Sequence, residues 1–243
     1  MAIEIVEKYV NELIDRSTLE EPVWNIEKIR AGKKASWDYI DGCMIMSLLE
    51  LYKVGRNEKY FKFAEEYISY RVQEDGTING YHKEELNLDN INEGKNLFTL
   101  YDLTGKEKYA KAASRIYQQI LEMPRTKEGN FWHKMIYPNQ VWLDGLYMAQ
   151  PFYIEYENRF NDKKNYEDIF HQFFEVERNM KQAYITMPMI PRGRCSGLIK
   201  RQDFPETSGF VLLAGSPWHF WILWYLQIRI ILIMTIYSRC IVI

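Results

Sequence analysis

Residues Trp37–Ile68 read WDYIDGCMIMSLLELYKVGRNEKYFKFAEEYI, and the way this stretch divides decides the fold. Its first half, Cys43 to Tyr52, is mostly apolar and shows no strand-like alternation. Its second half sets Tyr60, Phe63, Ala64, Tyr67 and Ile68 three and four residues apart, the stripe of an amphipathic helix. A polar turn lies between, with Gly55 where a helix C-terminal glycine is expected. The stretch therefore reads as a helical hairpin. One helix is apolar enough to be enclosed, and the other has a single face to cover it with.

The same reading recurs twice downstream. Residues 88–120 are LDNINEGKNLFTLYDLTGKEKYAKAASRIYQQI, and residues 141–173 are VWLDGLYMAQPFYIEYENRFNDKKNYEDIFHQF. Each copy has an acidic residue near its start, an apolar helix, a polar turn, and a Tyr opening an amphipathic helix. Gly105 repeats the position of Gly55. A period of roughly 50 residues is the mark of stacked helical hairpins. A further stripe, Val6, Tyr9, Val10, Leu13 and Ile14, precedes them. The spacing predicts an all-α chain with helices around 1–15, 38–53, 57–72, 88–103, 106–122, 143–160 and 163–180. Closed into a ring, such pairs form an (α/α) barrel, with the inner-helix N-termini at one mouth.

The chain of 243 residues and 29.2 kDa is 26% charged and 47% hydrophobic, which excludes a disordered or fibrous protein. A net charge of -2 leaves no basic excess for nucleic acid. Three cysteines exclude a disulfide scaffold and fit a reducing compartment. The opening MAIEIVEKYVNELIDR is acidic from Glu4 onward and has no apolar core, so it does not read as a signal peptide. These features predict a cytoplasmic protein. Aromatic residues reach 15%, a content that serves either a core or sugar stacking.

Chemistry is expected where the inner helices begin. Asp41, Asp89 and Asp144 recur at matching places, and a ring of hairpins would bring them to one mouth. Each could equally be a helix N-cap. Asp144 follows Trp142 and precedes an apolar helix, a setting that raises a carboxyl pKa and suits a general acid. His133, beside Trp132 in GNFWHKM, lies just upstream and reads as either a sugar-binding or a structural imidazole. His171 falls on an outer helix and is expected to be solvated. The four His are too scattered for a metal site, and no H-E-x-x-H, C-x-x-C, G-x-G-x-x-G or G-x-x-x-x-G-K occurs, so no metal or nucleotide cofactor is expected.

WDYIDG, LDNINEGKNLFTLYDLTGKEKY and above all VWLDGLYMAQPF resemble the unsaturated glucuronyl and rhamnogalacturonyl hydrolases, glycoside hydrolase families 88 and 105, and family 105 more closely. The resemblance runs over roughly residues 1–182. It implies an (α/α)6 barrel of twelve helices, of which about seven are counted here. It also implies action on oligosaccharides whose terminal uronic acid carries a C4=C5 double bond, with rhamnogalacturonan fragments as the substrate. In that reaction an Asp protonates the vinyl ether, water adds at C5, and the hemiketal rearranges to release the sugar. The resemblance assigns this Asp to Asp144 and a second active-site carboxylate to Asp89. It sets Tyr39, His133 and Trp142 around the substrate. Two other readings stand beside it: a sister enzyme acting on glycosaminoglycan oligosaccharides, and a non-catalytic carbohydrate-binding hairpin protein.

From about residue 183 the resemblance stops. Residues 1–182 carry a net charge of -6 and residues 183–243 a net of +4, with Pro188, Pro191, Pro205 and Pro217 in the latter. If the first two bases of the Ala183 codon are dropped, AYITMPMIP becomes LYYHAYD. The same shift at Arg194 gives MQWADKKTGFSRNFWVRS. That output resembles the family's next segment, so residues 183–243 are expected to be an out-of-frame tail without native structure, leaving 1–182 as a partial toroid and the chain inactive. Phe220–Ile243 is apolar, but Gln227 and Arg229 near its middle argue against a membrane span.

Overall fold

The computed structural model describes residues 2–186. Along them run α1 (Ala2–Asp15), α2 (Ile26–Arg30), α3 (Tyr39–Gly55), α4 (Glu58–Arg71), α5 (Asp89–Asn92), α6 (Lys95–Thr104), α7 (Glu107–Glu122), α8 (Leu143–Phe160) and α9 (Tyr166–Thr186), with a 3₁₀ turn at Lys83–Glu85. The only β pairing among the described residues is isolated bridges. Helices α3 and α4, α6 and α7, and α8 and α9 pack as hairpins, while α3, α5, α6 and α8 pack on one another as an inner wall. The part described is thus an arc of three hairpins, as the repeat predicts. The apolar stripes of α4 and α7 face inward, with Tyr60, Tyr67, Tyr109 and Ile116 enclosed against Ile45, Leu48, Leu97 and Phe152 of the inner helices, whereas in the α1 stripe Val10 and Ile14 are buried but Val6 and Tyr9 are exposed.

Three details differ from the sequence expectation. The short helix α2 was not foreseen, because five residues cannot show a periodicity. The expected helix 88–103 is two segments, joined at Glu93 and Gly94. Both residues keep right-handed helical dihedrals, but the N–H groups of Gly94, Asn96 and Leu97 reach back three residues rather than four. This tighter winding coincides with a close crossing of the inner wall. A Cβ on Gly42 of α3 would stand 2.6 Å from Glu93 Cα, so only glycine admits the contact. Finally, Gly105 closes α6 in the left-handed region at φ 66, as expected, but after α3 that position is taken by Arg56 at φ 55 instead of Gly55.

Helix α9 runs to Thr186, past the break expected at 183. Residues 187–243, which hold the rest of the expected tail with His219, Cys195, Cys240 and the Phe220–Ile243 run, lie outside the described residues. Among those described, no helix is long and apolar enough to cross a membrane.

Candidate active site

The loop between α7 and α8 places most of the site. Arg125 and Phe131 form an antiparallel bridge after α7, and the chain then runs alongside the segment entering α5. Asn87 and Lys134 pair across this seam. Leu88 N–H donates to the His133 carbonyl at 3.0 Å, and Met135 N–H donates to the Leu86 carbonyl at 3.1 Å. His133 N–H also donates to the Gln140 carbonyl at 2.8 Å. Backbone hydrogen bonds therefore fix the start of α5, with Asp89, against His133 and Lys134. Helix α8 then begins at Leu143 and brings Asp144 to the same place.

Asp89, His133 and Asp144 each offer a polar atom, and these atoms lie within 4.8 Å of one another. Asp89 Oδ1 is 3.4 Å from His133 Nε2, and Asp89 Oδ2 is 2.6 Å from Lys134 Nζ. One imidazole and two carboxylates at this spacing could hold a cation, and the Lys134 ammonium is a cation already seated on one of them, Asp89. Burial, then the charge of Asp89, raises the Asp144 carboxyl above the ordinary aspartate value, while the nearby Gly145 amide and Lys134 pull the other way. Burial drives the His133 imidazole down to about 4, against the pull of Asp89 and with the push of Lys134. His133 is accordingly a neutral ring at neutral pH. Its Nδ1 is buried without a hydrogen-bond partner.

Capping, the alternative reading of the aspartates, holds for none of the three. Asp38 caps α3, accepting from the N–H groups of Ile40 and Asp41. The N-cap positions of α5 and α8 are Leu88 and Trp142, and at α5 it is Asn87 Oδ1 that accepts from the Asp89 N–H, at 3.0 Å. The expectation that all three carboxylates converge fails for Asp41. That residue is fully buried, and its carboxylate accepts from Trp24 Nε1 at 2.8 Å and Asn25 Nδ2 at 3.1 Å. The segment preceding α3 supplies both donors and draws Asp41 away from the other two.

Trp142 is half-buried, and much of its ring is already in use. His133 stacks on it at 4.2 Å between centroids and 9° between planes, and Tyr137 stacks at 5.3 Å and 14°. Tyr39 is 37% exposed at the start of α3, close enough to Asp89 for that charge to raise its phenol pKa, behind the larger effects of burial and Glu27. His171 is not solvated as expected. It is half-buried, and its Nε2 lies 2.6 Å from the Glu128 carbonyl oxygen. The sequence reading missed Lys134, whose one signal is its place beside His133.

Residues 7–185 match the sequence pattern of Glycosyl Hydrolase Family 88. The chain is 26% identical over 144 residues to the unsaturated rhamnogalacturonyl hydrolase YesR of Bacillus subtilis (strain 168), a match covering 57% of this chain and 40% of that one. A solved glycoside hydrolase from family 105 of C. acetobutylicum ATCC 824 superimposes with a TM-score of 0.61 at 41% identity, over 71% of this chain and 44% of the other. The matched region thus spans less than half the length of either relative.

Proposed function

The chain belongs to glycosyl hydrolase family 88, and on that premise we propose that its site is built to release a 4,5-unsaturated uronic acid from the end of a rhamnogalacturonan oligosaccharide. The observation that carries this reading is the Asp144 carboxyl, half-buried at the start of an inner helix beside Asp89, His133 and Lys134. A carboxyl whose pKa is raised keeps its proton to higher pH, as a general acid requires.

In this mechanism Asp144 gives its proton to C4 of the vinyl ether, and positive charge develops at C5 and the ring oxygen. Asp89 supplies a negative charge next to that centre, held in place by Lys134. Water adds at C5 and returns its proton to the Asp144 carboxylate, which restores the acid. The hemiketal then opens and the remaining sugar leaves. Two separate carboxylates for acid and nucleophile, as in ordinary glycoside hydrolysis, are not required. His133 enters as a neutral ring that Trp142 holds flat, and Tyr39 stands at the open edge of the site. That Asp89 and Asp144 lie past the N-cap positions of their helices and beside His133 speaks against the non-catalytic alternative, and the likeness to YesR favours a rhamnogalacturonan substrate over a glycosaminoglycan one.

The frame reading belongs to the same proposal. We place the change of frame near residue 183. The family match ending at residue 185 and the partial coverage of both relatives support it. The low cysteine count supports placement in the cytoplasm, on oligosaccharides already imported. The test is to restore the frame at codon 183, supply lyase-generated rhamnogalacturonan fragments, and follow the ultraviolet absorbance of the C=C bond. Loss of that absorbance is expected. No loss with any unsaturated uronyl oligosaccharide would reject the assignment.

A further inference from the structure

One helical turn below the site, the inner wall carries a second ring of polar groups that the mechanism above leaves unused. Cys43 follows Tyr39 by four residues, Asn92 follows Asp89 by three, and Tyr147 follows Asp144 by three. Residues three or four apart share a helix face, about 5.4 Å further along the axis. The three inner helices therefore each give one residue to the upper layer and one to the lower. The lower layer is joined within itself: Asn92 Nδ2 donates to Cys43 Sγ at 3.4 Å, and the Tyr147 hydroxyl is hydrogen-bonded to the same thiol.

Lys95 reaches into this layer. Its Nζ donates to Asn92 Oδ1 and to the Tyr147 carbonyl oxygen, both at 2.6 Å, and lies 3.9 Å from the centroid of the Tyr147 ring. An ammonium group has three donors, and two are accounted for. Lys95 forms no ion pair among the described residues, and the charge that acts on its ammonium there is that of the Cys43 thiol. A charge enclosed this way normally has a counter-charge. Cys43, Lys95 and Tyr147 are each half-buried rather than fully enclosed on the inner wall.

We propose that Lys95, held by Asn92 and Tyr147 one turn below Asp144, is the counter-ion for the carboxylate of a bound uronyl sugar. The choice of uronyl carboxylate rests on the function proposed above. In a 4,5-unsaturated uronate the carboxylate is attached at C5, one bond from the double bond that Asp144 protonates, so a ring bound at Asp144 keeps its charge close to the helical turn that carries Lys95. Without that charge, burial drives the Lys95 ammonium down to about 7.

The test needs no turnover. The 243-residue chain is treated at neutral pH with a lysine-acylating reagent, and the rate at Lys95 is read by peptide mass mapping in the presence of galacturonate, galactose or inorganic phosphate. A carboxylate on Lys95 keeps the amine protonated, and one unit of pKa removes about tenfold of the reactive neutral form. The expected result is about tenfold slower labelling of Lys95 with galacturonate and no slowing with galactose or phosphate. Galacturonate should also raise the melting temperature of the chain, and Lys95→Gln should abolish that rise. Labelling of Lys95 at the rate of surface lysines, with or without galacturonate, overturns the proposal. So does equal protection by galactose or by phosphate. Turnover of unsaturated fragments by the frame-restored chain with Lys95 unprotected would sink this inference alone. Protection without turnover would sink the hydrolase reading and leave the anion site standing.

Discussion

The imidazole of His133 lies flat against the indole of Trp142, 4.2 Å between ring centroids, and is 1% exposed with its Nε2 turned toward Asp89. The stack covers the ring and keeps it uncharged next to a carboxylate. Replacing Trp142 by alanine should open His133 to water and bring its pKa up from about 4 toward the ordinary imidazole value. An imidazole NMR titration would measure this, and an unmoved titration would show that other contacts keep the ring neutral.

The same histidine should make folding sensitive to acid. Its folded pKa lies below the unfolded one, so between about pH 6.5 and 4 the unfolded chain binds more protons. Stability contributed by the neutral ring is present above pH 6.5 and is lost as pH falls through that window, by an amount on the order of 3 kcal/mol. Denaturant melts at several pH values should show the loss, and His133→Gln should flatten it.

Asp144→Asn in the frame-restored chain should abolish turnover while leaving the melting transition in place. The amide keeps the shape but has no acidic proton to give, and general acid–base catalysis is worth about 10²–10⁴-fold. A near-normal rate would move the acid to Asp89.

The pH–rate profile should have a descending alkaline limb set by Asp144, because the fraction carrying a proton falls as pH rises past its raised pKa. Asp89 is the second cause of that rise, after burial. Asp89→Asn removes a like charge, so the limb should shift to lower pH along with the fall in rate. A limb that stays in place would mean that the carboxylate measured is not Asp144.

Gly42→Ala should destabilise the chain and impair the site together. The added methyl would stand 2.6 Å from Glu93 Cα and 2.9 Å from Glu93 N, and backbone cannot swing aside as a side chain can. Overpacking of this kind costs about 1–3 kcal/mol or more. Helix α3 would be forced away from the α5–α6 junction, and the Glu93 carboxylate, which accepts from the Asp38 N–H at 2.9 Å, would lose its hold on the start of α3. A melting temperature equal to that of the unsubstituted chain would contradict the close crossing.

The 243-residue chain should melt at a lower temperature than the frame-restored chain and turn over no substrate. Ile5, Val6 and Tyr9 of α1 are 66%, 46% and 62% exposed, an apolar face that further hairpins of a closed ring would cover. A sharp cooperative melt with normal hydrolysis would overturn the frame reading.

The hairpins were legible because their stripes are long and their period repeats. Asp89, Asp144 and His133 were legible because they recur where inner helices start or sit just before one. What escaped the sequence depends on contacts between distant segments. Asp41 shares the repeat position of the other aspartates, yet Trp24 and Asn25, in a connection with no periodicity, decide where its carboxylate goes. Lys134 became part of the site only through the pairing of Asn87 with Lys134 across the seam. The left-handed turn after α3 falls on Arg56 although Gly55 is adjacent, a one-residue choice that a glycine rule cannot resolve.

The seam joining residues 86–88 to 133–135 has a consequence for how the chain may be cut. It ties the site together by main-chain bonds, independently of the covalent link through α6 and α7. A circular permutant opened in the exposed turn at Gly105–Lys106 would therefore keep Asp89, His133, Lys134 and Asp144 in register, because the strand-like clasp replaces the lost connection. One opened at Tyr137–Pro138, between His133 and Asp144, would leave Asp89, His133 and Lys134 clasped together and loosen Asp144 alone, which no main-chain bond of the seam holds.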